Sequence, residues 1–369
     1  MDDVSRPFDR PFDNFTPWDP AVSLKWLLIF VPISVGLAIA DASPTWIFLT
    51  SCLAIVPLAD MLAKATEELA ELLGPSIGGV LSATLGNGPE LIVCGFALAK
   101  GMVGVVKSAI IGTVLMNVLL LPGLAMFVGG MKRTNQKFNK TTAGMSAALL
   151  TLASIGLMVP AILKLASPAA QNELSLEIST ILFVLYLLSL LFTMKTHRQL
   201  FTVADPESHQ AETAQKHSIW PGLLRLTGIG IVLAVVSEVM TDALDPALKS
   251  LHFSETFAGI IVLGSLGNVA QLIGAIRFGL ADKMDLAMSS TVGAATQASL
   301  AMAPLLVFAG QLFGAPMDLL FSSFEVLAIT LSVIVVGQLI RDGESNWFEG
   351  AMLVGVYGIF ALGFYFYVP

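Results

Sequence analysis

The chain has 369 residues, 55% hydrophobic and only 12% charged, with a formal net charge of −8. A soluble globular domain carries roughly 25% charged residues. The composition therefore excludes an ordinary soluble protein, and repeated apolar segments of about 20 residues predict a polytopic, all-α integral membrane protein.

The chain opens on MDDVSRPFDRPFDNFTPWDP, rich in Asp and Pro and without the apolar core of a cleavable signal. Residues 1–23 read as a cytoplasmic lead-in. Eleven membrane helices are predicted at 24–41, 45–66, 75–99, 103–129, 141–163, 174–194, 221–242, 255–280, 285–313, 317–340 and 347–368. Breaker chemistry separates them, including Ser43-Pro44, Gly74-Pro75, Asp205-Pro206, Asp245-Pro246 and Ala315-Pro316. Cys52 and Cys94 fall in apolar segments and read as small buried side chains rather than a disulfide. With this count, only Lys100, Lys107, Lys164 and Lys249 of the 19 Lys and Arg fall opposite the N-terminus. The asymmetry predicts a cytoplasmic N-terminus, a C-terminus on the other side, and an odd number of spans. The cell inner (plasma) membrane is the expected residence.

LGNGPELI (85–92) returns as LGNVAQLI (266–273), an offset of 181 residues. The same offset carries Gly78 onto Gly259, Ser108 onto Ser289, Gly112 onto Gly293 and Gly129 onto Gly310. The copies lie in the third and eighth predicted spans and so cross the membrane in opposite directions. This is the signature of an inverted-repeat transporter, whose site lies near the bilayer midplane at interrupted helices. The expected organisation is an extra helix at 24–44, one five-helix repeat at 45–194, a cytoplasmic linker at 195–220 and a second five-helix repeat at 221–369.

A carboxylate at a helix centre costs about 2.5–3.5 kcal/mol to insert, so Glu90 needs a partner, a proton or a purpose. Gly88-Pro89 interrupts the helix beside it, because proline has no N–H and its ring crowds the preceding turn. Backbone carbonyls, the amide oxygens of Asn87 and Asn268, and a carboxylate form a hard, all-oxygen set. Such a set suits Ca²⁺, Mn²⁺ or Na⁺. Proton and cation would compete for Glu90, the minimum requirement for antiport. The plainer alternative is that Asn87 and Asn268 cap broken helices and hydrogen-bond across an interface.

The chain resembles the Ca²⁺/H⁺ antiporters of the cation/Ca²⁺ exchanger superfamily over essentially its whole length. The resemblance rests on ATEELAELLGPSIGG (65–79), GNGPELI (86–92), KTHRQLF (195–201), SEV (237–239), GNVAQ (267–271), KMDLA (283–287) and DGESNWFEG (342–350). It implies two facing motifs that supply a cation site, with Glu90 as ligand and proton-coupled carboxylate and Asn87, Asn268, Gly86 and Gly267 beside it. It departs at Gln271, where the family ordinarily has Glu; Gln can coordinate through its carbonyl oxygen but cannot ionise. Glu238 is the first substitute carboxylate, with Asp60, Asp242 and Glu325 behind it. The resemblance also makes Asn117 and Gln297 pathway residues, whereas Thr113, Thr291 and Thr296 read equally as interhelical hydrogen-bonding groups.

Glu67, Glu68 and Glu71 close the second span, where they oppose the helix dipole. They read either as a cation funnel or as a solvated end with a Lys64–Glu68 pair. Residues 204–218 read as a solvated linker, and His197, His209, His217 and His252 lack metal-ligand spacing.

The functional expectation is secondary exchange of Ca²⁺, or a similar divalent cation, for H⁺ by alternating access. Na⁺-coupled exchange or Na⁺/H⁺ antiport is the alternative that the missing second carboxylate raises. A channel lacks a filter motif, and an intramembrane enzyme lacks H-E-x-x-H or a Ser/His pair. The expected partners are the lipid bilayer and the transported cations and protons, with no nucleic acid and no resident cofactor; a homo-oligomer is left open.

Overall fold

A computed structural model describes residues 24–163, 167–197 and 218–367. The lead-in 1–23, Lys164 and 198–217 of the expected linker lie outside the described residues. The helices in chain order are α1 (Lys25–Ile39), α2 (Pro44–Leu85), α3 (Gly88–Ala99), α4 (Val103–Gly130), α5 (Lys140–Leu163) and α6 (Pro168–Thr196). They continue with α7 (Trp220–Leu251), α8 (Glu255–Leu266), α9 (Val269–Leu280), α10 (Met284–Phe313), α11 (Ser323–Leu339) and α12 (Trp347–Phe366). Among the described residues, seven helices are long and apolar enough to cross a membrane. The pair α8 and α9, bent by 60° at its break, makes an eighth, and α1, α3 and α11 are shorter apolar helices.

Three boundaries differ from the sequence-based expectation, each for a local reason. The expected break at Asp245-Pro246 does not occur: α7 runs through Pro246 to His252, whose φ of 57° closes the helix. The lost backbone hydrogen bond is tolerated because Leu244, Ala247 and Leu248 around it are buried in the core. Residues 317–322, expected to begin a span, are non-helical instead. Gly314 closes α10 in the left-handed region at φ 70° and Pro316 follows. Ser322 and Glu325 then start α11 with a reciprocal capping box. Finally, the first part of α2 runs past the expected end at residue 66 to Gly74, whose φ of 78° kinks α2 into two helices at the expected Gly74-Pro75 break, and the second part reaches Leu85. Glycine adopts that conformation without a Cβ clash, and Pro75 follows it.

The most buried long helices are α4 and α10, and α6, α7 and α12 face outward. Cys52 and Cys94 are free and buried. The α4–α8 contact is a backbone approach: a Cβ on Gly112 would stand 2.1 Å from the Ile260 carbonyl oxygen, and one on Gly264 2.8 Å from Gly112. Small residues allow this proximity, which is the usual basis of helix association in lipid. A short clip ties the loop ends together. Gln136–Lys137 (β1) pairs antiparallel with Glu344–Ser345 (β2), and Arg133 pairs with Asp282 at 3.3 Å.

Candidate cation site

The two sequence motifs become two helix breaks that face each other. At the first, α2 ends at Leu85, Gly86-Asn87 turn, and α3 begins at Gly88. Pro89 therefore does not kink a continuous helix. It occupies the first turn of a new one, where its missing N–H would have had no intrahelical partner. Glu90 follows in the same turn, at the positive end of the helix dipole. At the second break, Gly267-Asn268 separate α8 from α9.

Each break is crossed by a side chain from elsewhere. Glu90 is 4% exposed, and a Cβ on Gly267 would lie 2.4 Å from its carboxyl carbon and from Oε1. The carboxylate thus rests on the backbone of the second break, where glycine alone leaves room. Reciprocally, a Cβ on Gly86 would lie 2.6 Å from Oε1 of Gln297 on α10. The residue that covers Gly86 is therefore Gln297 and not Gln271.

The amides are oriented by backbone carbonyls. Asn117 Nδ2 donates to Asn268 Oδ1 at 2.6 Å and to the Thr113 carbonyl at 3.0 Å. Asn268 Nδ2 donates to the Gly264 carbonyl at 2.8 Å, and Asn87 Nδ2 to the Ala294 carbonyl at 3.3 Å. With the N–H groups so engaged, oxygens are left over. Asn87 Oδ1, Asn117 Oδ1, Gln271 Oε1 and both carboxylate oxygens of Glu90 are buried without a hydrogen-bond partner. Each such group costs about 1–3 kcal/mol, and all five are acceptors. Unpartnered acceptors of this kind at and beside the two breaks fit a hard cation, whose ligands are carboxylate and carbonyl oxygens. Among the described residues no group of three or more His, Cys, Asp or Glu comes together, so the donor set is amide-rich by construction.

Of the residues singled out by sequence, Gly86, Asn87, Glu90, Asn117, Gly267, Asn268 and Gln297 come together at the breaks, and Gln271 lies one turn further along α9. The structure does not bring the substitute carboxylates to them. The Glu238 side chain is exposed, and its backbone carbonyl accepts from Lys100. Asp242 pairs with Lys100, and Asp60 with Lys64 at 2.6 Å. Glu325 is buried but engaged: it accepts from Ser108 Oγ and from the Ser322 backbone, each at 2.9 Å. Thr291 and Thr296 donate to carbonyls one turn back in their own helix. Thr113 reaches across to the Gly264 carbonyl at 3.4 Å. Glu68 pairs with Arg225 at 2.6 Å, in place of the expected Lys64–Glu68 pair.

A cavity of about 230 Å³ reaches Gln271 and is lined by Asp60, Lys64 and Glu67 of α2 and by Gln271, Gly274 and Arg277 of α9. Leu24, at the start of α1, also lines it. Two features escaped the sequence. One is a π-helical turn at Met116–Leu120 that carries Asn117, with a second at Ala298–Met302 just after Gln297. Turns of this kind recur at functional sites, but no residue pattern announces them. The other is the Ser108–Glu325 bond, half of which was legible in the Ser-x-x-Glu capping pattern at 322–325.

The sodium/calcium exchanger protein family matches residues 43–195 and 222–366. The Ca(2+)/H(+) antiporter of Synechocystis sp. is 36% identical over 92% of this chain and 96% of its own length. The Ca(2+)/H(+) antiporter ChaA of Bacillus subtilis is 35% identical over 91% of this chain and 96% of its own. The solved structure of native YfkE superposes with a TM-score of 0.81 at 33% identity, covering 93% of this chain and all of that one. A match of this extent in sequence and in fold makes the chain a multi-pass membrane member of the sodium/calcium exchanger protein family, alongside its Ca²⁺/H⁺ antiporters.

Proposed function

We propose that the chain is a secondary active transporter that exchanges Ca²⁺, or a similar divalent cation, for H⁺. The observation that carries this reading is that five buried oxygens, on Asn87, Glu90 and Asn117 at the facing breaks and on Gln271 one turn along α9, have no hydrogen-bond partner. Asn268 holds Asn117 in place, and Gly86 and Gly267 make room for Gln297 and Glu90. A bare carboxylate at that depth is strongly penalised, so Glu90 is neutralised by a proton when the cation has left. Cation and proton thereby alternate on one group. The relatives that carry the name Ca(2+)/H(+) antiporter support the same pair of substrates.

The architecture that serves this exchange is eleven spans: an extra helix at 24–44 and two inverted five-helix halves at 45–194 and 221–369, joined by 195–220. In its favour, the two interruptions fall at the two ends of the 181-residue offset. Two of the four π turns among the described residues, Met116–Leu120 and Ala298–Met302, lie within one residue of the same register. The N-terminus is assigned to the cytoplasm from the Lys/Arg distribution, and the membrane to the plasma membrane. The Asp60–Glu67–Gln271 cavity then opens on the cytoplasmic face.

The test is Ca²⁺ flux into proteoliposomes under an imposed pH gradient with no Na⁺ present. Ca²⁺ should enter acid-loaded vesicles while protons leave. Ca²⁺ that moves only when Na⁺ is supplied, or not at all, overturns the proton-coupled reading.

A further inference from the structure

The 181-residue offset pairs the far ends of α3 and α9, and the two ends are held differently. Gly101 closes α3 at φ 77°, and its counterpart Asp282 closes α9 at φ 62°. The end of α9 is tied to α4 and to the loop that follows α4. Arg133 donates to the Gly129 carbonyl at 3.2 Å and to the Leu280 carbonyl at 3.1 Å, and it pairs with Asp282. Gln136 Nε2 donates to the Gly279 carbonyl at 3.1 Å. The end of α3 is tied instead to α7: Lys100 pairs with Asp242 and donates to the Glu238 carbonyl at 3.3 Å. The counterpart of Lys100 on α9 is Ala281, which has no charge to do the same. Helix α7 in turn lies along α2, where a Cβ on Gly222 would meet Leu69 at 3.4 Å and Arg225 pairs with Glu68.

Helix α1 locates the Lys100 tie. Leu24 at its start lines the cavity that reaches Gln271 and Gly274. Ala38 near its other end and Asp41 just beyond line a second cavity, of about 430 Å³, together with Asp242. The tie and the first cavity therefore lie a full α1 length apart. The 181-residue offset carries Gly274, which lines the open cavity, onto Val93 of α3, which is buried at 4% exposure. One end is open at Gly274, the other is closed at Val93, and Lys100 spans the closed end. We infer that Lys100 is a positioning residue for the exchange, holding α3 to α7 so that the site is kept shut at the Val93 end and open at the Gly274 end. This rests on the exchange reading above, which requires the site to be reached from each side in turn. Lys100 acts through α7 and not on the cation. Opening the Val93 end parts α7 from α3 and breaks the Lys100–Asp242 pair. The Asp242 side chain is 68% exposed, and an exposed pair biases an equilibrium by no more than about fivefold. That is enough to set a preferred side and weak enough to be released in every cycle.

The experiment labels the full chain in detergent with a water-soluble maleimide. Val93→Cys reports opening at the α3 end and Gly274→Cys reports the cavity, where a Cβ meets nothing within 4 Å. Cys52 and Cys94 are buried, and the rate of the matching chain without the probe is subtracted. Lys100→Met should raise the labelling rate of Val93→Cys about two- to fivefold, the reach of an exposed pair, and leave that of Gly274→Cys equal or lower. Exchanging the charges, Lys100→Asp with Asp242→Lys, should bring the Val93→Cys rate back toward the native value, which a mere loss of packing would not allow. An unchanged Val93→Cys rate in Lys100→Met overturns the inference, and so does a raised rate that the charge exchange fails to lower. If Lys100→Met does not fold, Asp242→Ala, a change at an exposed side chain, decides in its place: a raised rate supports the tie and an unchanged rate overturns it. Absence of proton-driven Ca²⁺ flux in the native chain would instead overturn the exchange reading beneath, whatever the labelling shows.

Discussion

The two helix breaks, Gly86–Glu90 and Gly267–Gln271, are built from nearly the same residues and differ in two respects. The first ends in a carboxylate and the second in an amide. The second is also the more tightly seated, since α8, which leads into it, lies backbone to backbone on α4 at Gly112 and Gly264. Gly293, the repeat partner of Gly112 on α10, has nothing within 4 Å of its would-be Cβ. One motif thus supplies the charge, and the other is clamped at its entry. A site assembled from copies of one motif need not be symmetric in either chemistry or packing. The asymmetry is what the following substitutions probe.

The largest effect is expected at Glu90. Glu90→Gln removes the only carboxylate among the five unpartnered oxygens, leaving amides that neither attract a divalent ion strongly nor take a proton. Proton-coupled Ca²⁺ flux should fall by roughly 100-fold or more, the range expected when a buried charged partner worth about 3–5 kcal/mol is deleted. Substantial flux from Glu90→Gln would move the proton carrier elsewhere. Next comes Gly267→Ala. Its methyl would stand 2.4 Å from the Glu90 carboxyl group, and overpacking of this kind costs about 1–3 kcal/mol. Flux should fall roughly 10- to 100-fold, with the folded protein still recovered from detergent. Unchanged flux would show that Glu90 does not rest on the second break.

The sequence disclosed much of this and missed the rest for identifiable reasons. Apolar length gave the polytopic helical class, and the 181-residue register pointed to the two breaks, where Glu90 lies against Gly267. Proline and glycine marked the breaks, although Pro89 proved to start a helix rather than bend one. Local signals failed where tertiary packing outweighed them: Pro246 sits inside α7 because buried neighbours hold the helix together, and 317–322 stays non-helical although it is mostly apolar. They failed again on the acids. An intramembrane Glu238 or Glu325 looks like a functional group in the sequence alone. Whether it faces outward or caps a helix depends on rotations that composition does not encode.

A smaller effect separates the two glycines of the packing comparison. Gly112→Ala and Gly293→Ala both lie in helix interiors and both gain up to about 1 kcal/mol of intrinsic helix propensity. That common gain leaves the clash as the difference. At Gly112 the new Cβ would stand 2.1 Å from the Ile260 carbonyl oxygen, and at Gly293 it meets open space. Thermal unfolding in detergent should show a lower midpoint for Gly112→Ala and an equal or higher one for Gly293→Ala. Equal destabilisation of both would mean that α8 on α4 and the corresponding face of α10 are packed alike.

The smallest effect is expected at Glu238, and it bears most directly on whether the site has one acid or two. Its side chain is exposed on α7, and the hydrogen bond recorded at this residue is to its backbone carbonyl, from Lys100. Glu238→Gln keeps that carbonyl and the side-chain volume and removes only the charge. An exposed charge without a close partner contributes within about 0.5 kcal/mol, so Ca²⁺ flux should change less than about twofold. If Glu238→Gln instead approaches the loss expected of Glu90→Gln, α7 must rotate its acid inward during the cycle. The second motif would then have its missing carboxylate supplied from a neighbouring helix, and the difference between the two breaks would be one of position rather than of charge.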